Sequence, residues 1–178
     1  DVYASLLAPA RAKPQPLQEY GSLRKKMRGI DDFHFYDFFV PLVSGTARRY
    51  AYEEASQLVL AATALLGADY TARMRRALDG RWIDVYPGDN KQTGAYSTGT
   101  YGFHPYMLLN YDNTLEDVFT LVHELGHSMH TMYSCESQPY VYSDYSIFCA
   151  EVASTTNEQL LYHYLLDHAE NDGLRRLL

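Results

Sequence analysis

The chain has 178 residues, of which 47% are hydrophobic and 21% charged, and a net charge of −7. That length allows one domain with a substantial core, and the composition reads as soluble and globular rather than disordered. The acidic balance argues against nucleic acid as a partner, and no apolar run approaches the ~20 residues needed to cross a bilayer, so no membrane partner is expected. Only Cys135 and Cys149 are present. They read as small buried or half-buried residues, and with no signal-peptide h-region they lead to the expectation of a reducing, cytoplasmic compartment. The chain starts at Asp1 and ends at "LRRLL" within a helical pattern, so it reads as a piece of something larger.

Residues 1–29 read as helical, interrupted near "KPQP" by Pro14 and Pro16 and ended by Gly29. Arg24, Lys25, Lys26 and Arg28 read as a solvated helix face rather than an anion site. "YEEASQLVLAATALLG" (52–67) carries apolar residues at helical spacing and ends at Gly67, and a further helix runs through "YTARMRRAL" to "DG". Between 82 and 111 aromatic and β-branched residues alternate with Gly, Pro and Asn, which predicts short strands at 82–86 and 106–111 joined by loops. Asn113 or Thr114 can cap a helix reaching about Tyr133, with Glu116 or Asp117 completing a capping box. A last helix is expected over 145–168, capped by Ser143 or Asp144. The fold class is therefore mainly α with a small antiparallel β-sheet, in a single domain.

"HELGHSMH" (123–130) carries the chemistry. With 7 His in this chain, an H-E-x-x-H match arises by chance only about 0.014 times. On a helix, His123 and His127 lie within ~40° of each other and ~6 Å apart along the axis, so both imidazoles can reach one ion. The apolar stripe of this helix runs through Val118, Val122, Leu125 and Met129, and both histidines sit ~100° from its centre, with Glu124 further round. Gly126 costs about 1 kcal/mol in a helix interior, so it implies close approach by another element. His130 lies ~10.5 Å along the axis from His123, too far to share an ion, and reads as a polar wall. The extended metzincin pattern needs glycine at 130 and histidine at 133, where the chain has His130 and Tyr133.

A third ligand must come from downstream. Glu151 on the last helix would complete a two-histidine, one-glutamate site with an open position, the catalytic rather than structural arrangement. On spacing alone, Glu136, Asp144, Glu158 and His163 compete with it.

"HELGHSMH" followed by "FCAEVASTTNEQLL", and preceded by "RWIDVYPGDNKQTGAYS", "FHPYMLLNYDNTLEDVFTLV" and "FHFYDFFVPL", resembles the oligoendopeptidase F group of the thimet-oligopeptidase family of zinc peptidases. The resemblance covers essentially the whole chain. It implies a zincin-like (gluzincin) catalytic core with one Zn2+ per chain, held by His123, His127 and Glu151, and Glu124 as general base. It also implies short oligopeptide substrates, and members several times longer, with an N-terminal helical half and downstream donor residues outside this stretch. A zinc metallocarboxypeptidase, a silent zinc- or peptide-binding module and a structural zinc scaffold are the alternatives. "PYMLLNY" is expected to supply an edge strand for an extended peptide. Tyr96, Tyr101, Phe103, Tyr140, Tyr142 and Tyr145 can flank the cleft, and His104 reads as a loop residue.

Overall fold

The computed structural model describes residues 8, 11–40, 42, 48–169, 174 and 175. They form two compact units, one before residue 47 and one after. Of the helical stretch expected before Pro14, Ala8, Arg11, Ala12 and Lys13 are described; the first three are helical and Lys13 is not. Of "LRRLL", Leu174 and Arg175 are helical and the rest lies outside the described residues. No helix among the described residues is long and apolar enough to cross a membrane.

The first unit holds helix α1 (Gln15–Arg28), ended by Gly29 in the left-handed conformation that glycine adopts without steric cost. A short 3₁₀ turn follows at Phe35–Phe39. One expectation fails here: Arg24 is buried, 6% exposed, rather than part of a solvated face. Its guanidinium donates to the Asp37 and Val40 carbonyls and to the Tyr20 hydroxyl, tying the turn to the helix.

Among its described residues, the second unit carries four longer helices and a sheet. Helix α2 (Tyr52–Thr63) gives way to a 3₁₀ turn at Ala64–Leu66 and stops at Gly67, and α3 (Ala68–Asp79) stops at Gly80. Strands β1 (Ile83–Asp84), β2 (Tyr96–Thr98) and β3 (Tyr106–Leu108) follow, then α4 (Leu115–Ser137) and α5 (Ile147–Asp167). Thr114 caps α4: its hydroxyl accepts the Asp117 N–H at 3.1 Å, while the Asp117 carboxylate accepts the Thr114 N–H at 2.9 Å. This reciprocal pair satisfies two otherwise orphaned donors. The cap of α5 is Ser146, whose hydroxyl accepts the Cys149 N–H, and not Ser143 or Asp144. Helix α5 consequently begins at Ile147 and not at residue 145.

The sheet is mixed, not antiparallel. Its order is β1-β3-β2, with β1 parallel and β2 antiparallel to β3. "PYMLLNY" is therefore the middle strand, and the free edges belong to β1 and β2. Sequence order hid this, because the chain crosses from β1 to the far edge before β3 inserts between them.

The core lies where α2, α4, α5 and the sheet meet. Val118, Leu121, Val122, Leu125 and Met129 of α4 are fully buried against Val59, Met74, Leu109 and Leu161. Burying side chains of this size stabilises by about 1.5–3 kcal/mol each, which fixes α4 as the element around which the rest is placed. Neither cysteine is deeply buried: Cys135 is intermediate and Cys149 exposed, contrary to expectation for the latter.

Candidate metal and active site

Helix α4 is enclosed on more sides than its apolar stripe requires, and the site forms where two neighbours press against it. On one side, α5 approaches at Gly126, where an added Cβ would stand 2.7 Å from the Ser154 Cα and 3.0 Å from the Ala153 carbonyl oxygen. On another, β2 lies against the helix: the hydroxyls of Ser97 and Ser128 are 2.8 Å apart. Gly99 sits so close that a Cβ there would meet the Thr131 methyl at 2.6 Å. Small residues at these three points let α5 and β2 reach the histidines.

His123, His127 and Glu151 come together. The two Nε2 atoms are 3.0 Å apart, and the Glu151 Oε2 lies 3.5 Å from the first and 3.9 Å from the second. Donor atoms around a tetrahedral zinc with ~2.0–2.1 Å bonds are separated by about 3.3 Å, so this triangle fits the ion with shifts of tenths of an ångström. The donor set, two imidazoles and a carboxylate, suits the same ion. These are the residues that would hold it.

The surroundings orient the three. The Glu158 carboxylate hydrogen-bonds His123 Nδ1. Nδ1 therefore carries the proton and Nε2 presents its lone pair inward. Burial, and secondarily the neighbouring His123, hold the His127 pKa below the ordinary imidazole value, favouring the neutral, donating ring. Ser154 Oγ donates to Glu151 Oε2 at 3.0 Å and fixes its position.

Glu124 is 6% exposed, although the helical wheel points it away from the apolar stripe. The cover is β2, whose Ser97 backbone hydrogen-bonds the carboxylate. Burial raises the Glu124 pKa, opposed by His123 and reinforced by Glu151. Its Oε2 has no hydrogen-bond partner. A buried carboxylate oxygen left unpaired beside the His123–His127–Glu151 triangle has its lone pairs uncommitted.

The other candidate residues lie elsewhere. Glu136 pairs with Arg73 through two bonds of 2.6 Å, Asp144 borders a separate cavity, and His163 packs edge-on to Tyr162 at the far end of α5. His130 stacks on Tyr145 with ring centroids 3.9 Å apart, a wall and not a ligand. His104 stacks flat on Trp82 at 4.4 Å and donates from Nδ1 to the Pro105 carbonyl. Of the aromatic residues, Tyr101, Tyr140 and Tyr145 line a cavity beside β2, while Phe103 and Tyr142 are exposed. Sequence reasoning missed β2 itself and the bond from Glu158 to His123.

Residues 5–173 match the family model described as peptidase family M3. The chain belongs to this family. It is 45% identical over 175 residues to oligopeptidase PepF of Bacillus subtilis, spanning 98% of this chain and 26% of that protein. It is 44% identical to group B oligopeptidase PepB of Streptococcus agalactiae, spanning 98% of this chain and 29% of the relative. A solved structure of a candidate peptidase from Chlamydophila abortus superposes with a TM-score of 0.86 and 37% identity, over 99% of this chain and 29% of its own. The chain thus spans between a quarter and a third of the length of these M3 relatives. The resemblance drawn from the motifs agrees with the M3 match and with relatives named oligopeptidase and oligoendopeptidase F.

Proposed function

We propose that this chain carries the zinc site and general base of an endopeptidase acting on short oligopeptides, in a gluzincin-type core. The observation that carries the reading is the convergence of His123 Nε2, His127 Nε2 and Glu151 Oε2 within 4.8 Å of one another, with the unpaired, buried Glu124 Oε2 on the helical turn between the histidines. A zinc ion in this donor set supplies Lewis acidity, polarising a peptide carbonyl and making water acidic enough to lose a proton near neutral pH.

The chain's own residues do the rest. Glu124 takes the proton of the attacking water at its free carboxylate oxygen and passes it to the amine that leaves. Its raised pKa brings the carboxyl closer to the working range of such a shuttle. Glu151 and the two histidines hold the site's geometry, with Glu158 and Ser154 fixing their orientation. Strand β2 is the sheet edge that runs past Glu124, and its outward backbone groups can pair with an extended peptide. Only an already extended chain can add to a three-residue edge, which favours short unstructured peptides over folded proteins.

The test is hydrolysis of a short quenched-fluorescent peptide by the zinc-loaded protein. Cleavage that a chelator removes, zinc restores and Glu124→Gln abolishes supports the reading. Cleavage that persists in Glu124→Gln rejects the assigned base.

A further inference from the structure

Beyond Ser97 the edge strand borders an open cavity of about 570 Å³. Ser97, Thr98 and Gly99 form one side, Thr131 lies below on α4, and Tyr140 and Tyr145 rise from the segment joining α4 to α5. Four hydrogen bonds hold these walls. Ser134 Oγ donates to the Ser143 carbonyl at 2.6 Å and Ser143 Oγ to the Tyr140 carbonyl at 3.0 Å. The Tyr101 hydroxyl donates to the Gln138 carbonyl at 3.1 Å, and the Thr131 and Tyr145 hydroxyls are 2.6 Å apart. A cavity braced this way costs little to organise when a ligand enters.

Asp144 is the sole charged side chain among the described residues lining the cavity. Its Oδ1 accepts the Tyr145 N–H at 2.9 Å, which fixes the carboxylate and keeps Oδ2 outside that bond. No lysine, arginine or histidine is among the described residues that line the cavity. An acidic side chain entering here meets like charge, and an aliphatic one leaves the carboxylate without a counter-ion. A basic side chain meets the carboxylate at one end and tyrosine rings along its stem, an arrangement that attracts cations electrostatically.

The cavity's place along α4 sets which residue reaches it. Thr131 is one turn beyond His127, ~6 Å along the axis, and Cys135, on the same lining, is ~12 Å beyond. An extended peptide advances ~3.3 Å per residue, so the cavity lies about two to four residues from the bond at the metal site.

We propose that this cavity is a subsite for a lysine or arginine side chain of a peptide lying along β2, with Asp144 as its counter-charge. The inference rests on the peptidase reading above and adds to it a class of preferred peptide.

The experiment uses peptides of one length in which a single lysine is moved through the positions within about four residues of the cleaved bond, each paired with its norleucine counterpart. Cleavage is measured with the zinc-loaded protein, and binding of the same peptides by fluorescence anisotropy with the zinc-loaded Glu124→Gln protein. The expected result is a lysine preference of about fivefold at one position, the size of an exposed ion pair, falling to near one in Asp144→Asn. Asparagine keeps the Oδ1 acceptor for Tyr145, and an unchanged thermal melt shows that the segment is intact. A flat response at every position, or a preference that survives Asp144→Asn, overturns the subsite. If the binding preference appears and is lost in Asp144→Asn while Glu124→Gln cleaves the peptides as fast as the unaltered protein, the subsite stands and the assigned base falls.

Discussion

Glu158 on α5 and His123 on α4 are joined by a hydrogen bond at the ring nitrogen facing away from the ligand triangle. One bond across two helices thus sets both the tautomer and the orientation of an imidazole proposed to hold the metal. Such partners of a ligating histidine are worth about 10–100-fold in metal affinity. Glu158→Gln is expected to weaken zinc binding by that factor, measured by competition against a chromophoric chelator, while the unliganded protein melts near the wild-type temperature. Unchanged affinity would show that the bond does not orient His123.

Gly126 and Ser154 form the tightest approach of α4 to α5. Alanine gains about 1 kcal/mol in helix propensity. Its methyl, however, meets backbone atoms at 2.7–3.1 Å, which no rotamer change relieves. Overpacking of this kind costs about 1–3 kcal/mol. Gly126→Ala should therefore unfold at lower urea concentration and, by displacing α5 with Glu151, bind zinc more weakly. Equal stability would mean that the helices part without strain.

The HELGHSMH helix, its cap at Asn113 or Thr114 and the stops at Gly29, Gly67 and Gly80 were all legible, because periodicity, capping and glycine act locally. Glu151 could not be separated from Glu158 by spacing: both lie on the same helix, and only the packing of α5 against α4 sets Glu151 against the two Nε2 atoms and Glu158 against His123 Nδ1. Strand β2 escaped notice because its three residues are too few to show an apolar–polar alternation of their own within the Gly- and Tyr-rich stretch. The expected edge position of β3 failed for a different reason. Sheet order is fixed by long-range pairing, here the bonds from Met107 N–H to the Trp82 carbonyl and from Leu109 N–H to the Asp84 carbonyl, both 2.8 Å. The burial of Glu124 follows from β2 and was hidden with it.

Buried tyrosines, Tyr52 and Tyr70 among them, give the protein an alkaline limit. Burial pushes the pKa of Tyr52 and of Tyr70 up from 10.0 to about 12. The folded state then holds these protons more tightly than the unfolded chain, so stability is intact below pH 10 and falls as pH rises toward 12. Urea denaturation across that window should show the loss, and Tyr52→Phe should make it shallower. The Tyr52 hydroxyl is buried with no partner, so the same change should leave stability at neutral pH nearly unaltered. An identical alkaline slope in wild type and Tyr52→Phe would contradict this.

Anomalous diffraction at the zinc edge from crystals of the zinc-loaded protein tests the central claim most directly. The account predicts one strong peak within about 2.0–2.3 Å of His123 Nε2, His127 Nε2 and a Glu151 carboxylate oxygen, with Glu124 close by but uncoordinated. A peak ligated by Glu124 or Glu158 in place of Glu151, or no peak at the histidine pair, would contradict it.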